Sequence, residues 1–438
     1  MEEVKQKTIV KENKHTKQKY IRRNNAKLYP IYKMFSWDLL CFYSIEFLFY
    51  TITKGLTASQ VLIVSACYVL FKILMQIPAV AITDILGHRK SLIIGNSLLL
   101  VYMGILINSV NIYWIIFGCF IKALGFDIKT ISETNLLYDS VSTKGGEGLY
   151  SKLDSKGASW YYWLDGIICI QTGYLFVLNN YLPMIICMGF LVVSIVLSAK
   201  FKDVYKKDVQ KVKVSKILKE YSQDLKTSVK FIIKSSRMKA YIIFGSIFYG
   251  IITVIDLYRS DLIISKGMPE EQYSMVFAVL TLLAGISVML SKKVHKKFKN
   301  KTLTFISLSY IACCIVVGII ANKCSNSIAI PIILILYVLM KMFTSIWYVL
   351  EYKYLKNFTT EEMRNKIMFT YELIGGIITS ILAFIGSIIL GNFGVDKSFL
   401  LVSLAALIAI VLSLDFMRSR FGLRPKDYKK EDIDFKID

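Results

Sequence analysis

The sequence predicts an all-α membrane protein of twelve membrane-crossing helices in two groups of six, and three observations carry that prediction. Hydrophobic residues make up 55% of the 438, with a mean hydropathy of +0.52, more apolar than the surface-to-volume balance of one soluble core allows. The apolar residues gather into runs of about 20, the length of helix that crosses roughly 30 Å of hydrocarbon. A net charge of +23 is segregated from those runs, and most of the Lys and Arg fall in alternate gaps.

In chain order the first six runs are 32–52, 58–82, 91–109, 112–137, 157–178 and 183–199. The second six are 240–263, 271–291, 302–322, 328–350, 365–391 and 398–416. Residues 1–33 carry ten Lys or Arg against three acids, 200–239 carry thirteen against four, 292–301 carry six Lys and no acid, and 418–438 carry seven Lys or Arg. With twelve crossings all four segments lie on one side, and the opposite gaps hold only Lys54, Lys266, Lys323 and Lys397. The bias of basic residues toward the cytoplasm places both termini there, in a multi-pass protein of the plasma membrane. The basic start contains no short apolar core with a cleavage site, so no cleavable signal is expected.

This divides the chain into a basic segment 1–30, a first bundle 31–199, a linker 200–239, a second bundle 240–417 and a tail 418–438. Within the linker, Val214, Ile217, Leu218, Tyr221, Leu225, Val229 and Ile232 recur at helical spacing. Lys216, Lys219, Lys226, Lys230 and Lys234 lie between them, which predicts an amphipathic helix at an anionic membrane surface.

Charges inside the spans mark candidate function, because a charged side chain in mid-bilayer costs about 2.5–3.5 kcal/mol on insertion scales and faces a wet cavity or a partner. Asp38 and Glu46 lie in span one, Lys72 in span two, Lys122, Asp127, Lys129 and Glu133 in span four, and Asp165 in span five. Asp256, Arg259 and Asp261 lie in span seven, Lys341 in span ten and Glu372 in span eleven, while spans three, six, eight, nine and twelve carry none in their interiors. Spans one, four, seven and ten are thus all charged, the period of a repeat-built transporter with a midplane site. For proton coupling the candidates are Glu46 first, then Asp38 and Asp165. Lys122, Asp127, Asp256, Lys341 and Glu372 are the candidates for a substrate cavity. Asp256 with Arg259, at i and i+3, and Lys129 with Glu133, at i and i+4, are spaced to neutralise one another.

Between spans two and three the chain reads Asp84-Ile85-Leu86-Gly87-His88-Arg89-Lys90. Gly87 supplies backbone freedom for a reversal in a very short connection. Asp84 can meet the positive end of a helix and Arg89 can fork to a carboxylate. This stretch resembles the loop between helices two and three of the major facilitator superfamily of secondary transporters. Gly125 followed by Leu136-Leu137-Tyr138-Asp139 resembles the fourth helix of its bacterial drug-exporter-like branch. The resemblance covers roughly 30–417. It implies twelve helices in two bundles, and a conformational gate at Asp84, Gly87, Arg89, Lys90 and Asp139. Arg89 would pair with Asp139 or Glu133, and the loop would dock beside Thr359-Thr360-Glu361-Glu362. Val80 replaces a common glycine, the basic residue of the fourth helix is Lys122 rather than Arg, and span five lacks the Gly-Pro-Gly-Gly type stretch of many antiporters.

Other chemistries fit poorly. Seven of the eight Cys lie in spans with no C-x-x-C, the three His (His15, His88, His295) lack ligand spacing, and no phosphate-binding Gly-x4-Gly-Lys-Ser/Thr loop occurs. No enzyme, metal, cofactor or nucleic-acid partner is expected. The expected partners are a small-molecule substrate, protons and the bilayer, with the protein acting as a monomer. The sequence reads best as a secondary transporter exporting a small amphipathic compound in exchange for protons. Import of a polar metabolite, or a non-transporting sensor on the same scaffold, remains open.

Overall fold

The computed structural model describes residues 2–142, 146–204, 214–298, 301–324, 326–357 and 364–418, and among them there is no strand. The helices are α1 (Glu2–Ser36), a single turn α2 (Glu46–Leu48), α3 (Ala58–Leu86), α4 (His88–Asn108), α5 (Ile112–Val141), α6 (Gly146–Leu178) and α7 (Leu182–Lys200). They continue with α8 (Val214–Lys234), α9 (Ser236–Ser265), α10 (Glu270–Phe298), α11 (Thr302–Lys323), α12 (Asn326–Asn357) and α13 (Arg364–Arg418). Each apolar run from span two to span ten coincides with one helix, and α8 occupies the place of the expected amphipathic helix, with Phe231 and Ile232 buried while Lys226 and Lys230 are exposed. Among the described residues, seven helices are long and apolar enough to cross a membrane by length and composition alone. Helices α5, α6 and α10 match them in length but carry more charge.

Two runs depart from expectation. Span one is not one helix: α1 stops at Ser36, residues 37–45 form turns with Cys41 at φ 69°, and the chain resumes through α2 and a π-helical turn, Phe49–Thr53. Spans eleven and twelve are joined without a loop, because α13 turns at Gly394 (φ 70°, ψ 167°), a conformation that suits a residue without Cβ. The apolar part of α13, 52 residues, is about 78 Å long at 1.5 Å per residue, enough for two crossings.

By packing, the chain divides into two compact units: 1–43, 74–168 and 178–217 form the first, and 44–73, 169–177 and 218–438 the second. Two stretches of the first apolar half therefore pack with the second half, a grouping invisible to a division by span order.

In the first unit α4 packs on α5 and α7, and α1 on α5 and α7. Helices α4 and α5 touch backbone to backbone: a Cβ on Gly95 would sit 3.0 Å from the Gly125 carbonyl, and one on Gly125 would sit 3.1 Å from that of Gly95. Small residues permit such close crossings where lipid supplies no hydrophobic drive between helices. Buried Asn96 ties three helices, donating to Tyr32 Oη (3.1 Å), Leu92 O (2.9 Å) and Ser198 Oγ (3.1 Å).

In the second unit α13 packs on α9 and α11, α12 on α10 and α11. Tyr258 Oη donates to Gly386 O at 2.5 Å. Lys266 binds Ala321 O and Asp396, each at 2.8 Å, fixing the turn of α13 to the ends of α9 and α11. The stretch 44–73 is held by Ser59, which bonds the Ser387 hydroxyl at 2.8 Å, and by Ser380, which donates to Ala66 O at 3.2 Å.

Candidate functional site

The interruption of the first span organises the polar interior of the first unit. Where α1 ends, the carbonyls of Ser36 and Trp37 have no helical partner. The buried ammonium of Lys129 on α5 donates to both, at 3.0 Å for Trp37. Lys129 forms no contact ion pair with Glu133 among the described residues, although its charge still reaches it, and acts as a lysine cap, since cations suit a helix C-terminus. Glu133, also buried, leaves Oε2 without a hydrogen bond among the described residues. Beside it Lys33 pairs with Asp154, which also accepts from Tyr29 Oη at 3.0 Å. Burial, and then the nearby carboxylates of Glu133 and Asp154, push the Tyr29 phenol well above its usual range.

Lys122, 3% exposed, sits among rings, 4.9 Å from the centroid of Tyr43, 5.4 Å from Tyr102 and 5.7 Å from Phe42. The desolvated ammonium is held by ring quadrupoles. Asp38 binds its own break, accepting from Leu39 N at 3.0 Å. Asp38 and Lys122 both lie within electrostatic reach of Cys187, and Asp38 and Asp165 both within reach of Tyr162. Trp37 stacks on Tyr161 with centroids 5.9 Å apart. Three candidates, Asp38, Asp165 and Lys122, are therefore gathered around an aromatic wall. Asp127 is buried further along α5.

The gate residues form a separate cluster in the same unit. Gly87 alone, at φ 79° and ψ 163°, links α3 to α4. Arg89 does not pair with Asp139 or Glu133. Its guanidinium donates to Ala199 O at 2.8 and 3.1 Å, and its amide to Asp203 at 3.0 Å. Asp139 instead faces His88 Nε2 at 3.5 Å. Asp84 is half-buried and Lys90 exposed. The proposed dock at 359–362 lies outside the described residues.

In the second unit Asp256 and Arg259 pair as their spacing suggests, at 2.7 Å. Buried Arg259 lies 5.6 Å from the Phe277 ring and 5.8 Å from that of Tyr337. The hydroxyls of Tyr273, Tyr310 and Tyr337 are fully buried and make no hydrogen bond among the described residues. Lys341 lies within electrostatic reach of Asp256 and Arg259. Two cations, one carboxylate and several donor hydroxyls make a site suited to an anionic group. Glu46 accepts from Tyr50 Oη at 3.3 Å and is felt at Tyr273.

Glu351 is the residue the sequence did not single out. It is buried near the end of α12, its carboxylate accepts from Tyr371 Oη, and its carbonyl accepts from Tyr241 Oη at 2.9 Å. It stands one residue beyond the apolar run 328–350, where hydropathy alone ends the span. Glu372, exposed on α13, lies within its electrostatic reach.

The fold has solved counterparts. A nucleoside transporter, in a mutant form, superposes with a TM-score of 0.70 at 7% identity, covering 90% of this chain and 100% of its own. A D-xylose–proton symporter gives 0.65 at 10%, covering 94% and 98%. A peptide transporter in complex with sulfate gives 0.65 at 11%, covering 93% and 95%. No curated protein matches the chain by sequence. The model of one family does match, over residues 34–335, more than half of the chain. With its apolar helices and interior charges, this multi-pass membrane protein belongs to the Major Facilitator Superfamily and is a transporter rather than an enzyme.

Proposed function

We propose that the protein is a proton-coupled secondary transporter of the plasma membrane, with both termini cytoplasmic, that exports a small amphipathic compound by alternating access. The observation that carries this reading is the interrupted first span. Irregular backbone at membrane depth is tolerated only where it is buried in protein or lines a water-filled cavity. Here the interruption is bracketed in sequence by Asp38 and Glu46. A carboxylate beside such a break can gain and lose a proton as water access alternates, while the Trp37–Tyr161 stack offers apolar surface to the body of the compound. Asp165 is the third proton-carrying candidate. Lys122, Asp127, Asp256, Lys341 and Glu372 remain proposed contacts of the cavity. The loop Asp84, Gly87, Arg89, Lys90 with Asp139 is the proposed gate.

Import of a polar, acidic metabolite is the second reading, favoured by Arg259, Lys341 and the three buried tyrosine hydroxyls. Inverted vesicles with an imposed pH gradient separate the two, using lipophilic cations and anionic or peptide-like compounds as probes. Gradient-driven accumulation of an amphipathic probe, lost in Glu46→Gln or Asp38→Asn, supports export. Accumulation of an acidic metabolite in intact cells, with none in the inverted vesicles, replaces it by import. Absence of gradient-driven flux in either preparation, from folded protein, sinks both.

A further inference from the structure

We propose that a cavity at the basic end of the first unit binds the phosphate headgroup of an anionic phospholipid. The cavity, about 340 Å³, lies between α1 and the start of α6, and its wall includes Arg22, Arg23, Lys27, Lys156, Leu153 and Trp160. Residues 153, 156 and 160 follow one stripe of α6, and 23 and 27 one stripe of α1, and the two stripes meet in the wall of this cavity. No carboxylate lines it among the described residues.

Three of the four charges there have no ion-pair partner among the described residues. Arg22 is buried and anchored, its guanidinium donating to Ser142 Oγ at 3.3 Å. Arg23, Lys27 and Lys156 form no ion pair among the described residues. Asp154, the carboxylate nearest in sequence to this wall, is occupied by Lys33 and Tyr29. Lys156 lies over the Trp160 ring, 4.8 Å from its centroid. Four cations around one cavity repel one another unless an anion joins them.

The membrane supplies the anion in the right place. Trp160 stands at the start of the apolar run 157–178, the depth at which tryptophan marks a membrane interface, and the cations lie on the side that carries the basic segments. Basic pockets between helices at that surface take anionic headgroups. Leu153 and the Trp160 ring give the glycerol and upper acyl chain an apolar wall that a dissolved anion would leave unused.

Trp160 is also the reporter. The full-length protein is placed in nanodiscs of phosphatidylcholine containing increasing fractions of phosphatidylglycerol brominated near the headgroup end of its chains. The Trp160 signal is obtained by difference from Trp160→Phe, since five tryptophans are present. Quenching is expected to saturate at a low fraction of the anionic lipid. In Arg23→Gln/Lys27→Gln/Lys156→Gln quenching should no longer saturate even in bilayers of pure phosphatidylglycerol, while the half-saturating fraction stays in place in the charge-preserving Arg23→Lys/Lys27→Arg. Equal quenching by brominated phosphatidylcholine in the unsubstituted protein overturns the proposal, whatever the variants do. So does an unshifted triple variant. Relief of quenching by dissolved inorganic phosphate would make the ligand a soluble anion and overturn it as well.

Discussion

Lys129 is a case in which one side chain decides a stretch of backbone. Its ammonium reaches the carbonyls of Ser36 and Trp37, and a buried carbonyl left without a donor costs about 1–3 kcal/mol. Lys129→Met should therefore lower the thermal unfolding midpoint in detergent clearly, and Lys129→Gln, which keeps a donor, should lower it less. An unchanged midpoint in Lys129→Met would show that the break is held by something else. At this scale the sequence was legible where partners are near in chain. Asp256 and Arg259 pair as their i, i+3 spacing suggests. It was illegible where the partner is remote. Arg89 finds a backbone carbonyl more than a hundred residues away, and nothing in local spacing distinguishes that acceptor from the Asp139 carboxylate.

Among the helices, the α4–α5 crossing depends on two missing side chains. A Cβ at Gly125 meets Gly95 O and Leu98 Cβ at 3.1 Å, so the larger side chain of Gly125→Val must push the helices apart. The expected loss is about 1–3 kcal/mol, as for overpacked cores, read as a lower unfolding midpoint. Gly104→Val, on the same α4 where a Cβ meets nothing within 4 Å, is the control and should leave the midpoint near that of the unsubstituted protein. Equal effects at both positions would show that the close crossing is not the cause, since valine is a better helix former than glycine. Hydropathy located spans two to ten, one helix apiece, because it measures transfer into lipid, which is what a helix in a membrane answers to. It does not measure backbone continuity. Span one is an apolar run yet breaks at residues 37–45, and spans eleven and twelve join through Gly394, at a positive φ that glycine permits, two residues before Asp396 meets Lys266.

The whole molecule of a transporter must alternate between two arrangements, so contacts holding one arrangement have to open in the other. Ser59 and Ser387, far apart in sequence and 2.8 Å apart through their hydroxyls, belong to the stretch 44–73 and to the second unit with which it packs. The Ser380 bond to Ala66 and the contact of Gly376 with Ile73, where a Cβ would lie 2.5 Å from Cδ1, continue the same seam between α3 and α13. The Ser59, Ser387, Ser380, Ala66, Ile73 and Gly376 contacts are all uncharged, so opening them separates no ion pair of their own, and serine hydroxyls can exchange one another for water at little net cost. A seam of that kind suits a surface that closes and reopens in each cycle. Replacing both serines, Ser59→Cys with Ser387→Cys, puts two thiols where two hydroxyls now touch, and mild oxidation should join them. Flux measured in vesicles is then expected to fall to background on oxidation and to return on reduction, while each single variant is indifferent to both. A cross-linked protein that still transports would mean that α3 and α13 stay together throughout the cycle, and that the moving contact lies elsewhere.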